Sequence, residues 1–291
     1  MRKAVCLQAL CLLSIAVISA GCLPLTPPGQ PGETISMPLH VPYPEGTEPV
    51  TLMLNFGAAE FYADAEGQAL LEGTVTYNVP ALRPEVRVRA NSVEVQQEAR
   101  QVPLNAVNKW QVHFGTRRPL ALKVNAGAYD GYWELGGIPI RELEINQGAS
   151  RSTLNFTLPN PIVMERLVLR TSAADLEMAH LGNARFRHLT FQGGASSYTL
   201  DFTGQWMEDA AAEITVGVAS LRLVVPADLA VEVDVQRTLG SIEADPGFLR
   251  DGRRYRTPTW GAGPGPRLEI VVTSGLADIR LEFAEKAPPV I

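Results

Sequence analysis

The chain has 291 residues, 46% of them hydrophobic and 19% charged, with 25 Gly, 22 Pro, 3 Cys and a formal net charge of −6. This is an ordinary folding composition, neither collagen-like nor low-complexity, and long enough for one large domain or two modest ones around a real core. The acidic balance argues against a nucleic-acid partner, which selects a basic face or stripe. Arg2 and Lys3 form a positive n-region, residues 4–18 are apolar apart from Gln8 and Ser14, and Ser19-Ala20-Gly21 supplies small residues. That order is the pattern of an export signal.

The apolar run ends at a cysteine, and Ile18-Ser19-Ala20-Gly21-Cys22 resembles the lipobox of bacterial lipoproteins. The resemblance implies that residues 1–21 are removed and that Cys22 becomes the lipid-bearing first residue of the mature chain. A non-cleaved anchor is the alternative, since about 18 apolar residues just span a bilayer. Either way the rest of the chain is expected outside the cytoplasm, attached to a membrane. Cysteine usage fits: Cys6 and Cys11 fall in the segment to be lost, which leaves Cys22 with no internal disulfide partner. Acylation accounts for it, each buried CH₂ contributing about 0.8 kcal/mol of attachment. Removing Arg2 and Lys3 takes the net charge from −6 to −8, so a second, polybasic membrane signal is not expected.

Residues 22–49 carry Pro24, Pro27, Pro28, Pro31, Pro38, Pro42, Pro44 and Pro49. Prolines at this density remove backbone donors and favour extended polyproline II, so the stretch reads as a tether. From Val50 onward the pattern is β. Alternation is plain in residues 50–56, 86–90, 221–223 and 231–235, each bounded by Gly, Pro or Asn. Helical periodicity is thin, with a turn or two conceivable at residues 207–214 and somewhat more at 93–102.

A repeat emerges when the Gly-Ala steps are aligned. Leu122-Lys123-Val124-Asn125-Ala126-Gly127-Ala128 is followed by Leu143-Glu144-Ile145-Asn146-Gln147-Gly148-Ala149, by Leu167-Val168-Leu169-Arg170-Thr171-Ser172-Ala173 and by Leu189-Thr190-Phe191-Gln192-Gly193-Gly194-Ala195. A fifth copy ends at Ala219 and a sixth reads Ile270-Val271-Val272-Thr273-Ser274-Gly275-Leu276-Ala277. The aligned alanines step by 21, 24, 22 and 24 residues from 128 to 219, a solenoid-like period. Each unit is expected to supply two short strands joined at a corner, with the small step placed where a large Cβ would collide with the next coil. Stacked at about 4.8 Å, such coils share one core and need capped ends. An antiparallel sandwich is the alternative.

Leu54-Asn55-Phe56-Gly57-Ala58-Ala59-Glu60-Phe61, with residues 70–78 and Pro84-Glu85-Val86, resembles the N-terminal domain of the toast-rack proteins, a bacterial family of parallel β-solenoids. Gly247-Phe248, Asp251-Gly252, Tyr255, Trp260 and residues 268–279 resemble the closing coils of the same group, and related domains end LiaF-type envelope-stress regulators and adhesins. The resemblance implies an all-β, single-domain parallel β-solenoid with a short N-terminal β cap. The expected organisation is signal 1–21, tether 22–49, N-terminal β region 50–118, solenoid repeats with closing coils 119–283, and tail 284–291.

Motifs of chemistry are sparse. His40, His113, His180 and His188 have no zinc-site spacing, although His180 and His188 could meet across a coil. Gly261-Ala262-Gly263-Pro264-Gly265-Pro266 reads as a turn and not a phosphate loop, since its prolines lack N–H donors and no Lys follows. Asp130, Glu134, Asp175, Glu177 and Asp201 could form an acidic row, the basis for an acidic-site polysaccharide lyase or hydrolase, yet their spacing specifies no carboxylate pair. Tyr129, Trp133 and Trp206, with Tyr132 and Tyr198, recur in repeat phase and could stack on sugars or accept a partner's apolar anchors. The expectation is a non-enzymatic, lipid-anchored envelope protein without cofactor or metal, acting in envelope interaction, adhesion or stress sensing with an envelope protein or glycan as partner. A glycan- or solute-binding module is the alternative.

Overall fold

Strict alternation across Val50-Thr51-Leu52-Met53-Leu54-Asn55-Phe56 becomes a strand with Val50, Leu52, Leu54 and Phe56 buried, and the same logic runs through the chain. The computed structural model describes residues 30–98, 103 and 105–285; the signal-like segment, Cys22 and the tail beyond 285 lie outside the described residues. The N-terminal part contains β1 (Ile35–Val41), β2 (Val50–Phe56), β3 (Ala59–Gly67), β4 (Leu71–Tyr77), β5 (Glu85–Arg89), β6 (Ser92–Gln96), β7 (Asn108–Gly115), β8 (Leu120–Ala126) and β9 (Tyr129–Glu134). Long strands follow: β10 (Ile140–Asn155), β11 (Met164–Ala179), β12 (Phe186–Asp201) and β13 (Ala210–Val225). The chain closes with β14 (Ala230–Leu239), β15 (Ile242–Ala244), β16 (Leu249–Asp251), β17 (Arg254–Arg256) and β18 (Arg267–Phe283). There is no α-helix among the described residues, and the weakly helical stretches fall partly in β6 and β13.

The repeat is the architecture. β10, β11, β12, β13 and β18 pair in parallel, like residue on like residue, and each is one strand that turns a corner near its middle. The corner residues are Gly148, Ser172, Gly194, Gly217 and Gly275, and the register ladders skip each of them. A Cβ added to Gly194 would lie 2.1 Å from the Ser172 carbonyl oxygen, and one on Gly217 2.6 Å from that of Gly194. A side chain at Gly194 or Gly217 would therefore press on the backbone of the coil beside it, while the corner at 172 admits only the small Ser172, which is why the small step recurs.

On the first arm the core column runs Leu52, Leu122, Leu143, Leu167, Leu189, Ala212, Ile270 and Val233. On the second it runs Trp133, Leu154, Met178, Leu200, Leu223 and Leu281. These merge into one cluster extending from Leu39 to Leu281. Loops form the third side, where buried asparagines replace strand pairing. Asn160 donates from Nδ2 to the Ile140 carbonyl at 2.7 Å, and Asn183 donates to that of Phe156 at 2.8 Å. Each amide satisfies backbone groups that a loop would otherwise bury unpaired.

The stacking order departs from the chain order at both ends. β2 lies between β6 and β8, and β3 between β7 and β9, so the first coil occupies the second position. β18 likewise lies between β13 and β14, with β15 on its second arm. The sixth repeat copy is thus the direct neighbour of the fifth, although more than forty residues, including β14–β17, separate β13 from β18. Antiparallel strands finish the ends: β5 on β6, β4 and then β1 on β7, and β17 on β14.

One expectation is corrected here. The tether was expected to reach residue 49, but β1 pairs with β4 along its whole length and buries Leu39 and Val41. Pro38 fits because β1 is an edge strand, where one side of the backbone needs no ladder partner. Proline there and arginines 87 and 89 on β5 blunt the two N-terminal edges against further pairing.

Candidate functional site

The strand register creates a continuous exposed ridge beside the corner. Ala149, Ala173, Ala195, Val218, Leu276 and Leu239 stand next to one another on successive coils. The last three are large and open to solvent, at 58%, 46% and 61% exposure. Ala149 and Ala173 of the ridge floor a shallow groove of about 540 Å³ lined also by Asp130, Arg151 and Asp175. Asp175 accepts a hydrogen bond from Ser196 Oγ at 2.7 Å.

The aromatic expectation is corrected for two of its three residues. Trp133 is fully buried and stacks on Phe61 with ring centroids 4.1 Å apart, and Tyr129 is 4% exposed. Tyr129 donates from its hydroxyl to Gln147 Oε1 at 2.5 Å, and burial pushes its phenol up to about 12. Both rings are core, because residues 129, 131, 133 and 135 share the inward face of the strand and its continuation. Tyr198 is buried as well. The outward ring is Tyr132, stacked on Tyr62 at 5.7 Å. Trp206 is half-buried, held by a hydrogen bond from its Nε1 to the Phe202 carbonyl at 2.8 Å and by the edge of Phe186. It lines a second groove, of about 390 Å³, with Asp228 and residues 262–266, so the Gly/Pro segment forms a groove wall.

The five acidic residues do not form a single row. Asp130 and Asp175 share a register column but flank Arg151, while Glu177 lies in the column of Thr153 and Thr199. Glu134 is taken up at a turn, accepting from the amides of Gly136 and Thr157 at 2.9 and 3.0 Å, and Asp201 accepts from the Thr203 amide at 2.8 Å. His180 and His188 do not meet: His180 bonds Asn155 Oδ1 at 2.8 Å beyond the end of β11, and His188 lies on the first arm between Arg166 and Ala211.

Elsewhere the outer face is a lattice of paired polar groups. Asn146 donates to Asn125 and Asn125 to Asn55, and Arg170 holds Glu144 at 2.9 Å. Partial burial of Glu144 opposes its charge, but Asn146 and Arg170 together keep its carboxyl below the ordinary range.

Sequence reasoning overlooked one cluster. Asp64 on β3 and His113 on β7 are register partners, with His113 Nδ1 2.6 Å from Asp64 Oδ1, and Glu66 completes a group whose donor atoms lie within 4.8 Å of one another. Beside it, burial and then the Asp64 charge raise the Tyr62 phenol above its usual value. His40 and Glu72 continue the same row across β1 and β4, at 3.5 Å from each other.

Residues 28–160 match the family model described as the N-terminal domain of toast_rack. No curated protein matches the chain. Among solved structures, a candidate cell adhesion protein from Clostridium sporogenes is 17% identical, covering 87% of this chain and 100% of its own, at a TM-score of 0.49. A candidate adhesin from Bacteroides fragilis is 10% identical over 85% of this chain and 96% of its own, at 0.39. A candidate lipid binding protein from Parabacteroides distasonis is 10% identical over 85% and 97%, at 0.36. Residues 28–160 thus carry the N-terminal domain of the toast-rack family.

Proposed function

We propose that this is a non-enzymatic envelope protein, held outside the cytoplasm by a lipid on Cys22, whose β-solenoid binds another envelope component or an opposing surface through the ridge beside its corner. The observation that carries the reading is the run of Val218, Leu276 and Leu239, three large apolar side chains exposed side by side at one end of an otherwise polar face. Contiguous apolar surface rimmed by charge is the form an interaction site takes on a soluble domain. The rigid coils beneath fix the spacing of the three side chains, so little conformational freedom is lost when a partner docks. Support for the membrane attachment is the signal-like segment ending at Cys22.

Crosslinking in intact cells followed by capture tests the reading. The double variant Val218→Asp, Leu276→Asp should lose the crosslinked partner while its melting temperature stays within a few degrees, since neither side chain is in the core. Undiminished capture would remove the ridge from the proposal. Separately, Cys22→Ala should move the protein from the membrane pellet to the soluble extracytoplasmic fraction; identical fractionation of the two forms would exclude lipidation. A second reading, glycan binding, is favoured by the Trp206 ring in its groove beside Asp228. It requires that Trp206→Ala, and not the ridge variant, abolish capture.

A further inference from the structure

The geometry points to a divalent transition-metal site at Asp64, Glu66 and His113, on the N-terminal cap and away from the ridge. Asp64 and His113 come from two strands in parallel register, so their spacing is set by the sheet, and Glu66 lies in the register shift two residues on. β3 carries Asp64 and Glu66, and a register shift after Asp64 interrupts the pairing before it resumes at Gly67 opposite Gly115. Gly67 has no room for a side chain, its added Cβ falling 2.6 Å from the His113 carbonyl oxygen, so the bulge is tight against β7. Asp64 is oriented from both sides: its Oδ1 accepts from the Glu66 amide at 3.1 Å and lies 2.6 Å from His113 Nδ1.

The chemistry selects the ion class. Two carboxylates and a neutral imidazole bring a charge of −2, which a dication cancels. A cation bound between Asp64 and His113 takes the place of the hydrogen in their contact, and the ring, still neutral, carries its one proton on Nε2. Metal–ligand distances of about 2.0 to 2.2 Å put donor atoms roughly 3 to 3.5 Å apart in tetrahedral or octahedral sites. The present 2.6 Å contact and the 4.8 Å limit bracket that range, so side-chain rotation suffices. An N,O,O set with three protein ligands suits Zn²⁺ and its neighbours in the first transition row. It does not suit Ca²⁺, which takes six to eight oxygens. Half-exposed His113 and exposed Glu66 leave the remaining coordination positions to water. The cation would tie β3 to β7 and so fasten the outermost coil of the N-terminal end to the next.

The test uses the untagged full chain with its thiols alkylated, titrated with ZnCl₂ by calorimetry in the presence of excess CaCl₂. One Zn²⁺ is expected to bind despite the calcium. His113→Ala, Asp64→Asn and Glu66→Gln should each weaken it at least about tenfold, while His40→Ala leaves it unchanged. Glu66 is exposed, so Glu66→Gln should melt like the parent in the absence of zinc, and this variant decides the matter even if the other two fold poorly. Zinc affinity unaltered by Glu66→Gln, displacement of zinc by calcium, or no binding by the parent would each overturn the site.

Discussion

Gly194→Ala is expected to cost the protein about 3 kcal/mol and to lower its thermal midpoint by roughly 10 °C. The methyl group would lie 2.1 Å from the Ser172 carbonyl oxygen and 3.0 Å from its carbonyl carbon, against backbone that belongs to the next coil and is held there by both arms of a parallel ladder. A flexible side chain would swing aside. A ladder must separate, and separation at the corner loosens the hydrogen bonds on either side of it. Gly263→Ala is the matched control, because an added Cβ there meets nothing within 4 Å; its midpoint should stay within a degree or two. Differential scanning calorimetry of the two variants decides the point. If Gly194→Ala melts like the parent, packing at the corner is not the reason for the small residues.

Trp133→Ala is the second large effect, with an expected loss of about 3 to 5 kcal/mol. Trp133 is fully buried, stacks on Phe61 at 4.1 Å and meets Tyr129 edge-on at 6.4 Å. Its removal leaves a cavity where the N-terminal cap joins the first long coil, bounded by strands that are themselves hydrogen-bonded and slow to collapse inward. Trp133→Phe should cost much less, since the indole Nε1 has no acceptor and nothing is left unpaired. Denaturant unfolding provides the free energies. Partner capture in intact cells should be unaffected by Trp133→Phe, as the ring never reaches the surface; a loss of capture without a loss of stability would reinstate Trp133 as a binding residue.

Much of the fold was legible because its two determinants are local. Alternation across residues 50–56 and the recurring small step at 148, 172, 194, 217 and 275 are both written in consecutive residues, and both became structure directly. The inward fate of Tyr129 and Trp133 was also legible in principle. They share parity with Leu135, which is apolar, whereas Asp130, Tyr132 and Glu134 occupy the opposite parity. What no window could reveal was pairing between distant segments. Proline density obscured β1, whose partners on β4 are 30 to 42 residues away. The Asp64–His113 contact spans 49 residues because β3 adds to β7 and not to its sequence neighbour. Cys22, the residue most clearly marked in the sequence, lies outside the described residues.

The interior position of β18 has a consequence for biogenesis. Residues 230–239 emerge from the ribosome before residues 267–283, yet their parallel neighbour in the finished rod is the later segment. A nascent chain that stacked each coil as it appeared would lay β14 directly on β13 and bury the seat that β18 must take. Correct assembly therefore needs β14 to wait, and the short antiparallel meander of β16 and β17 against it offers a holding partner in the meantime. An exported chain delivered unfolded and whole meets this ordering problem more easily than one folding during synthesis, since both segments are then available at once.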